Sequence, residues 1–323
     1  MKKNTFPLYY LTWNVTANCN LKCKHCYNNS LHENNKNKEL STQKAEKMIE
    51  QAIPLGLRSI LFTGGEPLLR KDLLKLMKFA KSKKLLVFLA SNGTLIDENF
   101  IKNYKGIIDK INLSLDGSSP KKHDKIRGLK GSFLKTIKSI EALSNIFKVS
   151  IAFTAHDQNL DDLLAVAKIA RKYNVQLTIK RFIPIGKGVK SGLTLSRSKY
   201  KVLIEEINNL KKKQDVSFGD PFSFSGNRDI NFYGGCLAGI NFLNIDFNGN
   251  VYPCTKLKIR IGNLKNDLLE TIWNNSEILK ELRSRSLKGK CKECDRIFSC
   301  GGCRAAAYAE TGDFLDEDPL CFY

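Results

Sequence analysis

Several things are missing from this sequence. No stretch approaches the ~18 consecutive apolar residues of a membrane-spanning helix, so a membrane span is excluded. The N-terminus lacks a secretory core. Lys2 and Lys3 precede a short apolar run that Pro7, Thr12 and Asn14 interrupt. Cys19 does not fit a lipoprotein cysteine, because Asn18 stands where a small residue is needed. Ten cysteines without an export signal imply a reducing, cytoplasmic setting in which thiols stay available for metal. Negative charge is also short: 53 Lys and Arg against 32 Asp and Glu, a net +21. The lysines are scattered over helix faces (Lys44, Lys47, Lys71, Lys75, Lys78, Lys81), with only short runs such as Lys211–Lys213. That pattern fits a lysine-rich proteome better than a nucleic-acid footprint, and it suits anionic substrates, either carboxylated small molecules or acidic peptides.

What is present starts at Cys19-Asn20-Leu21-Lys22-Cys23-Lys24-His25-Cys26, just after an apolar strand-like run from Leu8 to Val15. Three thiolates this close can hold three irons of a [4Fe–4S] cluster, leaving the fourth iron open to a small molecule. Zinc fits less well. A structural zinc site wants four N/S ligands, usually as two CxxC pairs, and His25 is only a nominal fourth. A disulfide framework is the other plain reading. Downstream, Thr63-Gly64-Gly65-Glu66-Pro67 offers a tight glycine turn that lets backbone approach a ligand, plus a carboxylate that can accept from an ammonium group.

Together the two motifs resemble the radical S-adenosylmethionine (SAM) enzymes. The resemblance implies that the open iron at Cys19, Cys23 and Cys26 chelates the methionine end of SAM. An external donor such as a flavodoxin or ferredoxin reduces the cluster, and the resulting 5′-deoxyadenosyl radical takes a hydrogen atom from substrate. Gly64, Gly65 and Glu66 would hold the amino group of SAM. Ser114 and Arg127 would meet its carboxylate, with polar groups such as Asp116 and Asn92 completing the cofactor site. Asn92-Gly93 is equally a turn signal. His123 and Asp124 read as structural. Arg181 points either into the site or onto a domain junction.

Apolar runs at 59–62, 85–90, 111–115, 149–153 and 177–183 join the opening strand to make six. Amphipathic segments at 41–53, 72–81, 97–104, 132–143 and 160–173 separate them, with Ser41 and Asp72 as N-caps. Such an α/β chain predicts a partial (β/α)6 TIM-like barrel over residues 1–215, with its site at the C-terminal strand ends. The second half offers no two further units to complete eight. A basic helix at 198–213 leads out of the barrel.

Residues 216–323 read as a small cysteine-rich iron–sulfur domain. Asn248-Gly249-Asn250 predicts a hairpin between 241–247 and 251–252, and 268–283 reads as one helix containing Trp273. Cys236, Cys254, Cys291, Cys294, Cys300, Cys303 and Cys321 exceed what one zinc could use. Their arrangement resembles the SPASM extension of radical SAM enzymes, which implies two auxiliary clusters. By order, Cys291, Cys294, Cys300 and Cys321 would hold the outer cluster, and Cys236, Cys254 and Cys303 the inner one. The Cys300–Cys303 spacing is one residue tighter than that pattern.

The words around Cys300–Ala305 and Thr311–Cys321 resemble the haem-biosynthesis and peptide-maturase branch. Two substrates follow. One is a ribosomally made peptide, cross-linked or oxidised. Because the first cysteine comes at residue 19, its leader-binding partner would be separate or absent. The other is an iron tetrapyrrole losing side-chain carboxylates. A zinc-stabilised nucleic-acid-binding module is the reading from another class, and it leaves the first triplet and TGGEP without a role.

Overall fold

A computed structural model describes residues 6–28, 39–224 and 235–323. Six parallel strands lie side by side in chain order: β1 (Tyr10–Asn14), β2 (Ser59–Thr63), β3 (Leu86–Ser91), β4 (Lys110–Ser114), β5 (Val149–Ala155) and β6 (Gln176–Arg181). Between them run α1 (Thr42–Ala52), α2 (Leu73–Ser82), α3 (Glu98–Tyr104), α4 (Pro120–Arg127), α5 (Ser132–Ser144) and α6 (Leu163–Lys172). This is the partial (β/α)6 barrel.

Each strand alternates. Leu11, Trp13, Ile60, Phe62, Val87, Leu89, Ile151 and Phe153 lie fully buried in one core with helix residues such as Met48, Ile49, Leu76 and Ile140. The intervening positions include polar residues: Thr12, Asn14, Thr63, Asn112, Ser114, Ser150, Thr154, Thr178 and Lys180. A sheet packed by helices on both faces would be apolar on both. Here the inner face is mixed: Tyr10, Phe88 and Phe242 cluster at the N-terminal ends of their strands, whereas Asn14, Thr63, Ser114, Thr154 and Lys180 line the C-terminal ends with polar groups. On α1 the buried residues Ala45, Met48, Ile49 and Ala52 follow helical spacing.

The second half does contribute strands to the sheet, contrary to expectation. After α7 (Arg197–Lys211), β7 (Val216–Phe218) pairs parallel with β6. At the opposite side β8 (Phe242–Ile245) pairs parallel with β1. The hairpin partner β9 (Asn250–Tyr252) then pairs antiparallel with β8, and β10 (Gly262–Asn263) with β9. Among the described residues, ten strands form one sheet with edges at β10 and β7. The hairpin of β8 and β9 is as expected, but its joining to the barrel sheet is not; the three-residue β7 is too short to register as a periodic pattern.

The helix expected over 268–283 is two. α8 (Leu269–Asn275) and α9 (Glu277–Ser284) are separated by Ser276, whose backbone is extended (ψ 122°). Asn274-Asn275-Ser276 consists of residues whose side chains compete with helical hydrogen bonding. A further helix, α10 (Arg304–Thr311), ends on Gly312 in the left-handed region. Ser41 caps α1, accepting from the Lys44 N–H at 3.3 Å. Asp72 makes no side-chain cap on α2; its carboxylate goes to Arg70 and Thr42.

Candidate active site

The triplet loop leaves β1 held from below. Arg70, buried, donates to the Val15 carbonyl at 2.7 Å and the Leu40 carbonyl at 2.7 Å. The turn after β2 then lies directly on the triplet backbone: Gly65 N–H donates to Thr16 O and Glu66 N–H to Asn18 O, both at 2.8 Å. A Cβ on Gly65 would sit 2.1 Å from Asn18 O, and one on Gly64 (φ +146°) 2.5 Å from Thr16 O. Glycine is therefore required here by contact as well as by conformation.

Glu66 is fully buried. One carboxylate oxygen accepts from Asn92 N–H at 2.8 Å; the other accepts from the Ser91 hydroxyl at 2.9 Å and Leu68 N–H at 3.2 Å. Burial pushes this carboxyl up to about 7 against the pull of those hydrogen bonds. Its acceptors thus tie the end of β2 to the end of β3.

The spacer residues of the triplet make connections that sequence reasoning missed. Asn20 accepts from Asn92 Nδ2 at 2.8 Å and donates to Thr94 at 2.7 Å. Asn28 donates to Gly64 O at 3.0 Å. His25 Nε2 lies 2.8 Å from Asp116 Oδ2, and Arg127 Nη2 reaches the same oxygen at 2.6 Å. Asp116 also accepts from Thr154 N–H at 2.8 Å. Burial alone would raise the Asp116 carboxyl, but Arg127 and His25 hold it well below the usual carboxylate range. Arg127 also points Nη1 at Cys23 Sγ, 3.8 Å away. Ser114 ends β4 on the inner face, paired with Ala152, and its hydroxyl has no hydrogen-bond partner among the described residues. The expected SAM-contacting residues are thus gathered around one loop, and Glu66, Asn92, Asp116 and Arg127 are already engaged with one another or with the triplet.

All ten cysteines are free thiols. Burial pushes Cys19 up to about 12, with the charges of Cys23, Glu66 and Cys26 adding to the effect. Cys23 is likewise raised by burial, opposed by Arg127. Thiols packed this way ionise when a cation replaces their protons. N–H donors already face the sulfurs: Leu21 to Cys19 at 3.4 Å, Lys256 to Cys254 at 3.5 Å and Gly302 to Cys300 at 3.3 Å. A cubane gives each thiolate its own iron, and the three thiols of the triplet loop, each buried or half-buried and two of them facing N–H donors, are the donor set that such a cluster takes.

The C-terminal thiols fall into two neighbourhoods. Cys254 and Cys303, both raised first by burial, feel Cys236 as a neighbouring charge. Cys300 and Cys321, raised for the same reason, feel Cys291, and Cys321 also feels Cys294. Arg181 points onto the domain junction. Its guanidinium meets Asp220 at 2.7 Å and Asp318 at 3.0 Å. Asp318 in turn accepts from the Cys303 N–H at 2.7 Å.

Two inner-face lysines also escaped sequence reasoning. Lys180 lies beside Thr154 at the end of β6, and burial together with Lys256 and Lys110 lowers its ammonium to about 8. Lys256, two residues after Cys254, donates to Arg181 O at 2.9 Å. Nearby, a cavity of about 260 Å³ opens between Asn14, Thr16, Tyr27, Asp246, Tyr252 and Lys258.

A thiol triplet on the strand-one loop, a glycine turn packed against it and further thiol groups at the barrel edge define an iron–sulfur radical enzyme. The chain belongs to the radical SAM superfamily, which it matches over residues 13–189; residues 236–295 match the SPASM iron–sulfur cluster-binding domain. It is accordingly an enzyme that uses a [4Fe–4S] cluster, SAM and auxiliary iron–sulfur clusters. Among its relatives is an AdoMet-dependent heme synthase of Methanosarcina barkeri, 30% identical over 97% of this chain and 96% of that protein. Another is the mycofactocin maturase MftC of Mycolicibacterium smegmatis, 32% identical over 96% of this chain and 82% of that protein. The fold is shared with Streptococcus suis SuiB bound to its precursor peptide SuiA (TM-score 0.81, 19% identity, 99% of this chain and 76% of that one). It is also shared with anSMEcpe bound to AdoMet (TM-score 0.74, 22% identity, 98% and 94%). No described helix is long and apolar enough to cross a membrane.

Proposed function

We propose that this radical SAM enzyme oxidatively removes side-chain carboxylates from an iron tetrapyrrole. The observation that carries the reading is the end-to-end match to a heme synthase, 97% of this chain on 96% of that protein. The polar, lysine-bearing C-terminal end of the barrel's inner face supports it. Bound at Cys19, Cys23 and Cys26, the cluster and SAM supply a 5′-deoxyadenosyl radical, with the electron coming from a flavodoxin- or ferredoxin-type donor.

The protein's own residues do the positioning. Gly64 and Gly65 bring backbone against the triplet loop and leave room for the methionine end of SAM. Asn92, Ser114, Asp116 and Arg127 border that space, with Asp116 and Arg127 setting its charge beside Cys23. Glu66 acts through Ser91 and Asn92, fixing the loop after β3. Removing a hydrogen atom and CO2 from a propionate side chain leaves a vinyl group and one surplus electron. A one-electron acceptor is therefore needed, and Cys236, Cys254 and Cys303 form the thiol group beside the end of β6. Residues 1–215 act as the catalytic barrel and 216–323 as the auxiliary-cluster domain. Ten free thiols suit a reducing cytoplasm.

The test is anaerobic turnover with SAM, a reductant and iron-coproporphyrin, following porphyrin mass and 5′-deoxyadenosine together. Coupled loss of carboxylates supports the reading; deoxyadenosine with unchanged porphyrin overturns it. A second reading, oxidation of a ribosomally made peptide, is favoured by the 32% identical mycofactocin maturase, and it takes over in that case.

A further inference from the structure

Lys180 sits on the inner face at the C-terminal end of β6, in register with Thr154 on β5. Thr154 N–H binds Asp116, and Asp116 binds His25 of the triplet, so Lys180 stands next to the wall of the catalytic loop. On its other side lies the inner thiol group. Lys256 follows Cys254 by two residues, and its ammonium reaches the carbonyl of Arg181, the residue after Lys180. The two cations are close enough to repel.

Such a pair needs negative charge, and the carboxylates around it are already committed. Asp116 is held by His25, Arg127 and Thr154. Asp220 and Asp318 are held by Arg181, with Tyr200 also on Asp220 and Cys303 N–H on Asp318. Asp215 accepts from Gln176 at 2.9 Å. The Lys180 ammonium makes no hydrogen bond or ion pair among the described residues. Its stem packs on Gly219, the residue after β7, where a Cβ would come within 3.3 Å of Lys180 Cγ. The anionic groups nearest the two ammonium groups are the inner thiols Cys254 and Cys303 and the Arg181-bound Asp220, so a further carboxylate entering the polar interior would meet two cations whose neighbouring carboxylates are already engaged.

We propose that Lys180 and Lys256 form a carboxylate-binding site that anchors a substrate side chain between the triplet loop and the inner thiol group. The site would set specificity by demanding an acidic side chain, and it rests on the tetrapyrrole reading for the nature of that substrate.

The experiment uses the cluster-loaded enzyme with SAM, titrated anaerobically with iron-coproporphyrin III and with its tetra-amide, read by the Soret band. Wild type is expected to bind the acid at least about tenfold more tightly than the amide. Lys180→Met and Lys180→Met/Lys256→Met, compared at equal iron content, should lose about tenfold or more for the acid and little for the amide, and Lys180→Arg should recover part of the loss. Absence of acid preference in wild type, or its full retention in both methionine variants, overturns the site. The two claims fail separately. Acid preference that depends on these lysines, without any decarboxylation, keeps the site and removes the tetrapyrrole reading. Decarboxylation by wild type with preference unchanged in the variants removes the site and keeps that reading.

Discussion

Arg181 at the end of β6 and Asp318 near the C-terminus form a fully buried ion pair, Nη1 to Oδ1 at 3.0 Å. Asp318 also accepts from Cys303 N–H, and Leu320 N–H donates to it at 3.0 Å, so one carboxylate joins the barrel to the loop carrying Cys303 and Cys321. Asp318→Ala leaves Arg181 paired with Asp220 alone and strips the acceptor from the Cys303 and Leu320 N–H groups. It is expected to cost about 1–3 kcal/mol for each donor left unsatisfied and to lower iron content in the auxiliary domain. Thermal unfolding and iron analysis of the same preparation check both effects.

Replacing Cys19, Cys23 and Cys26 together by alanine should abolish SAM cleavage while the C-terminal thiols keep their iron. Survival of 5′-deoxyadenosine formation would show that the radical-generating cluster lies elsewhere.

Gly65→Ala places a methyl 2.1 Å from Asn18 O, where only backbone can give way. The triplet loop must shift, and SAM cleavage should fall on the order of a hundredfold, as for other small misplacements of reacting groups. Gly106→Ala is the contrast. It is a glycine at φ +80° with nothing within 4 Å, so it should cost roughly 1–2 kcal/mol of stability through backbone strain alone and leave cleavage intact.

His123 and His156 are buried and held near 4, below the ordinary histidine value, chiefly by desolvation. Geometry agrees, because each Nδ1 accepts a backbone N–H: from Asp116 at 3.2 Å and from Gln158 at 3.2 Å. An unfolded chain takes up protons near pH 6.5 that the folded one refuses until about pH 4. Their contribution to stability should therefore fall as pH drops through that window, by at most about 1.4 kcal/mol per pH unit for each histidine. The raised Glu66 carboxyl works the other way over the same range, so the histidine contribution is read by difference: between pH 7.5 and 5.5, denaturant titrations of His156→Gln should lose less stability than wild type.

The barrel was legible because Leu11–Trp13, Ile60–Phe62 and their counterparts repeat an alternation separated by amphipathic helices. Helix α4 was missed although its signals are present: Ser119-Pro120 opens it and Gly128, at φ +70°, closes it. The break at Ser276 and the short strand β7 lie below what periodicity reports. The cysteines were visible as spacing. The pairing of His25 with Asp116, or of Lys180 with Lys256, was not, since each joins residues far apart in sequence whose orientation depends on strand register.

The parallel pairing of β8 with β1 has a consequence for biosynthesis. Tyr10 aligns with Phe242, so the first strand made waits for one near the end of the chain. Loop closure over that span is slow. Until β8 arrives, β1 keeps an open edge, and the triplet loop that follows it lacks one of its two flanking strands. A ribosome-bound chain stopped short of residue 242 would thus expose a pairing edge beside its most oxygen-sensitive thiols. The triplet loop accordingly gains its second flanking strand only after residues 242–245 have been made.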